Sequence, residues 1–340
     1  MHRLLELIPT RLGRFLLCIF LLVCAISWWP TFGKYVGAQQ ITKPVATNRV
    51  GVVVVGADAR RQRLVSLEPA LRSEFHRFGQ AVELVLLSCE SSEAECVKRQ
   101  VSAAARTGVS VFIVLSTHTS QQVKAVAGIQ GVFTSRADPV QFGLVDTYVK
   151  PGGSMTGVYL GDTLHHRRMH LLRQTVQAGA KIAVIADHDW VSNADHLDFV
   201  RSAAVAEGVE INYMVVDTNK DVDVLSTRVR AMDALYFPVS LSTTIFGERL
   251  VAIAKQSKKP AIFSSRKLFD AGAAMSYHFD ESAVDSQLAA MARKLVGGEK
   301  AGALPIESPK RVEFAIDLDL LASTVSPVPP VLLFASDLTR

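Results

Sequence analysis

The sequence predicts an α/β protein of two similar, Rossmann-like lobes, each built on a parallel sheet. Short apolar runs rich in β-branched residues recur from Val50 onwards, and amphipathic helical stretches separate them. Near-continuous apolar runs are typical of parallel strands that are buried on both faces. The rhythm breaks at residues 151–153 and then resumes for a second run of similar size. Two consecutive α/β runs therefore predict two lobes.

The individual elements follow from the same pattern. Strands are expected at the apolar runs, at 50–55, 82–87, 111–115, 131–133, 181–186, 209–215, 234–237, 261–263 and 311–316. Helices are expected over the stretches between them, at 64–78, 93–106, 120–127, 162–178, 193–207, 222–231, 243–255 and 281–296. A further helix is predicted at 139–150, because proline suits the first helical position and Asp138 can cap the turn.

The N-terminal segment, 1–38, has the features of an export signal. Arg11 and Arg14 precede an uncharged apolar run, 15–29. Positive charge before such a run keeps the N-terminus in the cytoplasm and sends the following chain outward, here into the periplasm. The small residues 36–38 suit cleavage of a signal peptide, whereas the tryptophans that close the run suit a retained membrane anchor. Both interpretations remain open.

Composition and motifs argue against several function classes. Lysine and arginine total 37 against 32 for aspartate and glutamate, and they form no basic run of the kind that nucleic-acid-binding proteins carry. The sequence lacks the motifs GxSxG, GxxxxGKS, GxxxxGKT and HExxH, and GxGxxG does not follow the first strand. We therefore expect no nucleic-acid partner, no catalysis and no cofactor.

His166 and His170 lie one helical turn apart, which is a spacing that can hold a metal ion. The same stretch carries arginines that would repel a cation. We therefore interpret this stretch as a solvated helix face and expect no metal site.

Cys89 and Cys96 flank a short polar loop in the exported part of the chain. In an oxidising compartment this spacing permits a disulfide bond. Two free thiols are the alternative, and the sequence leaves both open.

Polar residues follow the predicted strands, at the edge of a parallel sheet where small molecules bind. The candidate ligand-binding residues are Ala57, Asp58, Ser116, Thr117, Thr119, Ser135, Arg136, Asp138, Asp187, Asn193, Ser240 and Ser265. Free N–H groups at helix starts, together with hydroxyl groups, favour a carboxylate or another small anion, and Arg136 can bind it through two hydrogen bonds. The alternative is that many of these residues are ordinary helix caps. His118 lies close to the same edge.

Several motifs occur in a fixed order along 49–340. The stretch 138–158 contains DPV, GLV, PGG and TGV. It is followed by RRMHLLRQTVQAGAKIAVI, MDALYFP and KKPAIFSSRKLFDAGAAMSYHFD, and the chain ends with KLVGGEKAGALPIESPKRVEFAIDLDLLASTV and a short tail. In this order they resemble the ABC-transporter substrate-binding proteins whose best-known members bind tryptophan or tyrosine.

The resemblance implies a type I periplasmic-binding-protein fold, in which three crossing strands form a hinge between two α/β lobes. A small-molecule ligand is trapped between the lobes, and a membrane permease with a cytoplasmic ATPase recognises the closed form. After a linker at 39–48, the implied lobes are 49–160 with 279–305 and 161–278 with 306–340. The family's ligand residues correspond to Ser116, Thr117, Thr119, Asp138 and Asn193.

The chain departs from the family pattern at two places near the expected ligand. Ser240 and Leu241 stand where an Asp-Asn pair is frequent, which removes a carboxylate that can hold an amino group. His278 replaces the glycine of an SYG segment. We expect a solute-binding protein of an ABC importer. The alternative is a membrane-anchored periplasmic sensory protein that reports the ligand to a membrane signalling partner.

Overall fold

The computed structural model describes residues 47–55, 57–89, 94–161 and 164–340, without the side chains of 55–63. The predicted signal peptide or anchor, 1–38, lies outside the described residues, as does most of the predicted linker. The linker prediction is wrong at its end, because Thr47 and Asn48 belong to the first strand and Asn48 Nδ2 donates a hydrogen bond to a neighbouring strand. No helix among the described residues is long and apolar enough to cross a membrane.

The first sheet has five strands that are all parallel. They are β1 (Thr47–Val55), β2 (Ala81–Cys89), β3 (Val111–Val114), β4 (Gln130–Ser135) and β5 (Met155–Tyr159), in the spatial order β2–β1–β3–β4–β5. The helices that follow β1, β2 and β3 are α1 (Ala57–Arg77), α2 (Ala94–Arg106) and α3 (Thr117–Lys124).

The second sheet has seven strands. They are β6 (Lys181–Ala186), β7 (Glu210–Val215), β8 (Ala234–Phe237), β9 (Ala261–Phe263), β10 (Met275–Phe279), β11 (Val312–Ile316) and β12 (Leu338–Thr339), in the order β12–β11–β10–β9–β8–β6–β7. Only the β10–β11 pair is antiparallel among these described strands. The predicted class, two α/β lobes with parallel sheets, is confirmed.

The remaining helices cover the second sheet, with one exception. They are α4 (His165–Arg173), α5 (His188–Ser192), α6 (Ala194–Glu207), α7 (Asn219–Arg228), α8 (Leu241–Ile245), α9 (Gly247–Ser257), α10 (Arg266–Asp270), α11 (Glu281–Val296), α12 (Leu318–Ala322) and α13 (Pro330–Ala335). The exception is α11, which follows β10 in the chain but packs against the first sheet and α1.

Both sheets are buried on two faces, as their apolar strands require. Leu71 of α1 and Leu288 of α11 pack on one face of the first sheet, and Val101 of α2 packs on the other. Leu172 of α4 packs on one face of the second sheet, and Leu225 of α7 packs on the other. Full burial of one such leucine contributes about 1.5–3 kcal/mol, so these layers hold each lobe together.

The chain passes between the sheets after β5, after β10 and again before β11. These connections run side by side. The Glu307 N–H donates to the Gly157 carbonyl oxygen at 3.0 Å, and the Asp280 N–H donates to the Arg311 carbonyl oxygen at 3.1 Å. The two sheets have no strand in common, so these adjacent segments connect them.

The prediction of a helix at 139–150 is wrong, because these residues form turns. The Phe142 N–H donates to the Asp138 carbonyl oxygen at 2.8 Å, which closes one turn, and Gly143 then adopts a left-handed φ of 70°. Leu144, immediately beyond, is buried in a small core with residues of β4 and β5. Burial of this leucine outweighs the local helix signals.

The helix predicted at 243–255 is divided in two. Phe246 has φ −106° and ψ 9°, which ends α8 and begins α9. Gly247, the first residue of α9, lies so close to Leu268 that a Cβ atom would stand 2.5 Å from its Cδ2 atom. A larger residue at this break would therefore require the Leu268 side chain to move.

Cys89 and Cys96 are joined by a disulfide bond. Cys89 ends β2 and Cys96 lies in the first turn of α2, so the bond ties the strand to the helix that follows it. In the chain-entropy description, a crosslink over a separation of 7 residues contributes roughly 2 kcal/mol to stability.

Candidate ligand-binding site

A cleft of about 1080 Å³ lies where the carboxyl ends of strands from both sheets meet. The residues after β3 and β4 line it from the first sheet, and the residues after β8 and β9 line it from the second. Ligands of open parallel sheets bind at this edge, and the volume suits a small molecule.

The first wall of the cleft is the start of α3 together with Arg136. Ser116 is the N-cap residue and has extended backbone angles, but its side chain caps none of the described N–H groups. Thr117, His118 and Thr119 continue the wall. The first N–H groups of a helix have no partner within the helix and carry a partial positive charge. This wall therefore offers donors that suit a carboxylate or another small anion.

Contacts with Ser135 and Arg136 fix the position of the Thr117 side chain. Its Oγ1 atom lies 3.0 Å from Ser135 Oγ and accepts a hydrogen bond of 3.2 Å from the Arg136 N–H. Ser135 is buried, and its hydroxyl also donates to the Ala137 carbonyl oxygen at 2.6 Å. Ser135 thus supports the wall, while the exposed Arg136 side chain lines it.

The second wall comprises the residues after β8 and β9, together with Arg168 and His278. Ser265 begins α10 as its N-cap, yet its side chain caps no N–H group in the described chain. Thr244, Ile245 and Phe246 bring apolar surface and a hydroxyl to the same wall. The break between α8 and α9 therefore places Phe246 in the lining of the cleft.

Arg168, in α4, lines the cleft although only 2% of it is exposed. Its Nε atom donates a hydrogen bond of 2.8 Å to the Tyr277 carbonyl oxygen. The interpretation of this stretch as a solvated face is wrong for Arg168 and for His165, which is also buried and bonds the Tyr236 hydroxyl through Nδ1. It holds for His166, which is exposed, because the helix presents opposite faces to the core and to solvent.

His278, in β10, is kept neutral. Its pKa is lowered from 6.5 to about 4, because burial disfavours the charged ring and the positive charges of Arg168 and Arg266 repel a proton. Glu313 Oε1 lies 3.7 Å from His278 Nε2, but the same oxygen accepts a hydrogen bond of 2.6 Å from Arg266. Burial is the largest cause of the lowered pKa, and the carboxylates of Glu281 and Asp280 oppose the shift without cancelling it.

Asp138 caps the turn after β4 rather than lining the cleft. Its Oδ1 atom accepts hydrogen bonds from the N–H groups of Val140 (2.8 Å) and Gln141 (3.1 Å), and Oδ2 accepts one from the Tyr148 hydroxyl (2.7 Å). Although burial raises the pKa of Asp138, these hydrogen bonds outweigh it and lower the pKa. Burial and the same carboxylate raise the pKa of Tyr148 to about 12.

Asp187, Asn193 and Ser240 are also helix caps. Asp187 accepts from the Trp190 N–H at the start of α5 and, through its other oxygen, from the Leu241 N–H at the start of α8. Asn193 caps α6, and Ser240 forms a reciprocal capping box at the start of α8. These side chains hold the helices around the cleft and do not belong to its described lining.

The predicted site residues thus divide into two groups. The structure brings Ser116, Thr117, Thr119, Arg136 and Ser265 together in the lining of the cleft. It places Ser135, Asp138, Asp187, Asn193 and Ser240 outside that lining, as supports and caps. Ala57 is the first residue of α1, and the side chains of Ala57 and Asp58 are not described. That the first group contacts a ligand stays a prediction.

The candidate list from the sequence did not include Arg168, Arg266, His278 or Phe246, although Arg266 directly follows Ser265 at a predicted strand end. A signal existed for His278, because it stands where the resembling family has glycine. No comparable signal marked Arg168, since an arginine in a histidine-rich helix is usually solvated. In the described part of the chain, no group of three or more His, Cys, Asp and Glu side chains could hold a metal ion.

Comparison with known proteins identifies the family. The model of the ABC transporter substrate binding proteins matches residues 49–325. The chain belongs to this family. Its members are solute-binding proteins rather than enzymes, and they are typically periplasmic or extracellular.

One similar protein is named for its ligand. The tyrosine-binding protein of Clostridioides difficile (strain R20291) is 25% identical over 210 residues, which cover 61% of this chain and 60% of that protein. The chain therefore matches about three fifths of the length of that relative.

Two crystal structures show the same fold. The ABC domain from Streptococcus pneumoniae in complex with L-Trp has a TM-score of 0.70 at 15% identity, covering 86% of this chain and 100% of that chain. A conserved domain protein from Vibrio cholerae has a TM-score of 0.71 at 18% identity, covering 86% and 99%. At these identities the likeness concerns the fold alone.

Proposed function

We propose that this chain is the solute-binding component of an ABC-type importer, which captures a small ligand without catalysis. The observation that carries the proposal is the cleft, because its lining combines residues from both sheets. The names of two similar proteins, one tyrosine-binding and one in complex with L-Trp, support an amino acid or a related metabolite as the ligand.

Capture would work by closure of the lobes, 49–160 with 279–305 and 161–278 with 306–340. A ligand that contacts both walls favours the closed state by the difference between its affinities for the two states. The side-by-side crossing segments support a hinge motion, since rotation there needs changes at only a few backbone positions.

The proposed partner is an ABC permease in the inner membrane, and the proposed location is the periplasm. The apolar run after Arg11 and Arg14 supports export, with the N-terminus either cleaved as a signal peptide or retained as an anchor. A closed protein differs in shape from an open one, which gives the permease a means to distinguish loaded protein from empty protein.

A thermal-shift screen of the full-length protein against amino acids and related metabolites tests the proposal. A true ligand at about 100 times its dissociation constant should stabilise the fold by roughly 2.7 kcal/mol. Small-angle scattering with the same compound should show a smaller radius of gyration, because the lobes close. If no compound stabilises the protein and none changes its scattering, the proposal fails. Ligand binding together with co-purification of a signalling protein in place of a permease would favour the sensory alternative.

A further inference from the structure

The hydroxyl groups of the cleft differ in what they can offer to a ligand. A serine or threonine hydroxyl has one proton to donate and two lone pairs that accept. When another group of the protein takes the proton, the hydroxyl can only accept a hydrogen bond from a ligand. The hydrogen bonds within the protein therefore determine which hydroxyl groups of the lining favour a ligand that donates.

Ser135 determines the direction of the Thr117 hydroxyl. The Ser135 hydroxyl donates to the Ala137 carbonyl oxygen at 2.6 Å, and a carbonyl oxygen cannot donate in return. The hydrogen bond of 3.0 Å between Ser135 Oγ and Thr117 Oγ1 therefore takes its proton from Thr117. The two hydroxyl groups form a chain of hydrogen bonds with one direction, from Thr117 through Ser135 to Ala137.

One lone pair of Thr117 Oγ1 stays available to a ligand. The Arg136 N–H donates to this atom at 3.2 Å, which occupies the first lone pair, and none of the hydrogen bonds among the described residues uses the second. Thr117 is half-buried and lines the cleft, whereas Ser135 is 1% exposed and does not belong to the described lining. Thr117 thus offers the cleft an acceptor, and the buried Ser135 fixes its orientation.

The second wall has two hydroxyl groups of the same kind. Thr244 Oγ1 donates to the Ser240 carbonyl oxygen at 3.0 Å, and Thr243 Oγ1 donates to the same oxygen at 2.9 Å. Both threonines line the cleft. By contrast, the hydroxyl groups of Ser116 and Ser265 cap no described N–H group, so they can rotate and either donate or accept. The threonines of the lining therefore favour a donor on the ligand, and these two serines do not discriminate.

We propose that Thr117 is a specificity-determining residue whose hydroxyl accepts a hydrogen bond from the ligand, and that Ser135 is the residue that positions it. This inference rests on the proposed function, in which the ligand is an amino acid or a related metabolite. The 2-amino group of an amino acid and the hydroxyl group of a 2-hydroxy acid both donate, whereas the oxygen of a 2-oxo acid only accepts. The cleft should therefore bind an amino acid and the matching 2-hydroxy acid and discriminate against the matching 2-oxo acid.

The test is isothermal titration of the full-length protein with sets of three probes that differ only in the group next to the carboxylate. One set is L-tyrosine, 3-(4-hydroxyphenyl)lactate and 4-hydroxyphenylpyruvate; a second is L-leucine, 2-hydroxy-4-methylpentanoate and 4-methyl-2-oxopentanoate; a third is L-glutamate, 2-hydroxyglutarate and 2-oxoglutarate. In the set that binds, the 2-oxo acid should bind at least about tenfold more weakly than both partners, which corresponds to 1.4 kcal/mol.

The outcomes separate this inference from the proposed function. A 2-oxo acid that binds as tightly as its partners overturns the inference and leaves the solute-binding proposal standing. A 2-hydroxy acid that binds as weakly as the 2-oxo acid does the same, because the protein then recognises the charge of the ammonium group rather than a donor. Failure of every probe also overturns the inference, and the solute-binding proposal falls with it only if the wider thermal-shift screen finds no ligand.

Variants at the two residues assign the preference. Thr117→Val keeps the shape of the side chain and removes the hydroxyl, so the preference over the 2-oxo acid should fall to about threefold or less, and Thr117→Ser should restore it. Ser135→Ala leaves the Thr117 proton without its acceptor, so the Thr117 hydroxyl can turn and donate to the ligand. The affinity for the 2-oxo acid should then rise about threefold or more. A loss of structure alone would not produce this gain.

Thr147→Val is the matched control. Thr147 Oγ1 also donates to a carbonyl oxygen and accepts from an N–H group, both of Lys150 and both at 3.0 Å. Thr147 is exposed and lies outside the described lining of the cleft, so this variant should keep the native preference. An undiminished preference in folded Thr117→Val contradicts the inference, and so does a 2-oxo acid affinity that fails to rise in folded Ser135→Ala.

Discussion

Ser116 and Ser240 hold equivalent positions in the two lobes and use their hydroxyl groups differently. Each follows a strand of a parallel sheet and is the N-cap residue of the next helix. Ser240 Oγ accepts a hydrogen bond from the Thr243 N–H at 3.3 Å, and Thr243 Oγ1 accepts one from the Ser240 N–H at 3.0 Å. Ser116 caps no N–H group among the described residues and lines the cleft instead.

The contrast shows that capping and ligand binding compete for the same side chain. Asp187 and Asn193 lie with Ser240 in the capping group, and all three are outside the described lining of the cleft. Ser265 belongs to the same group as Ser116. It is an N-cap residue whose side chain caps no described N–H group, and it lines the cleft. Substitutions in the first group should therefore act on stability, and substitutions in the second on binding.

The largest effect is expected for Asp187→Ala. The carboxylate accepts from Trp190 N at 3.0 Å, from Leu241 N at 2.6 Å and from Ser242 N at 3.2 Å, so it holds the starts of two helices at once. Its loss leaves these donors without their acceptor and should lower the free energy of unfolding by about 3 kcal/mol. Urea denaturation followed by circular dichroism measures the change.

Asp189→Ala is the matched control for Asp187→Ala. Asp189 is an exposed residue in the first turn of α5, where a carboxylate interacts only weakly with the helix dipole. We expect a loss below about 0.5 kcal/mol. Equal destabilisation by the two variants would show that Asp187 is not the common anchor of α5 and α8.

The second effect concerns His278, and it is a dependence of stability on pH. The pKa is 6.5 for an ordinary histidine and about 4 in the fold, so the unfolded chain binds the proton first as the pH falls. The contribution of the neutral His278 ring to the free energy of unfolding is therefore fully present above about pH 6.5. It is lost as the pH falls towards 4. Between pH 7 and pH 5 the loss from this residue should be about 2 kcal/mol.

His278→Gln isolates this contribution. The variant keeps a polar side chain near Ser276, which lies 3.1 Å from His278 Nδ1, but it cannot titrate. The pKa values of Asp138 and Asp280 are lowered from 3.8, so these two carboxyl groups affect stability mainly below pH 3.8, outside this window. The denaturation curves at pH 7 and pH 5 should thus lie closer together for the variant than for the native protein. The same slope in both proteins would exclude a buried neutral ring at this position.

Some features of the fold and of the site could be predicted from the sequence, and others could not. The strands β6, β8 and β9 have the predicted bounds, because a fully buried strand is a continuous apolar run that local sequence reveals. The helix predicted at 139–150 failed because burial of Leu144 depends on contacts with distant strands. The different roles of Ser116 and Ser240 could not be read from residue type, since both are serines at a strand end. Burial of Arg168 was likewise a property of the assembled cleft.

A smaller loss of stability is expected for Ser240→Ala. The variant removes one side of the capping box at the start of α8, and N-cap replacements of this kind cost about 1 kcal/mol. Thermal and urea denaturation should both detect it. Ligand affinity should change little, because the Ser240 side chain belongs to the capping group. A large loss of affinity with unchanged stability would reverse the assignment of Ser240 and Ser116.

The smallest effect on stability is expected for Ser116→Ala. No described N–H group loses its capping acceptor, so the free energy of unfolding should change by less than about 0.5 kcal/mol. Affinity for the ligand found by thermal shift should nevertheless fall about fivefold or more, because one hydrogen bond to a charged group is removed. Thr107→Ser, which keeps a hydroxyl at an exposed turn away from the cleft, controls for the procedure. If Ser116→Ala destabilises the protein as much as Ser240→Ala, the hydroxyl is a cap in solution, and the division between capping and binding residues does not exist.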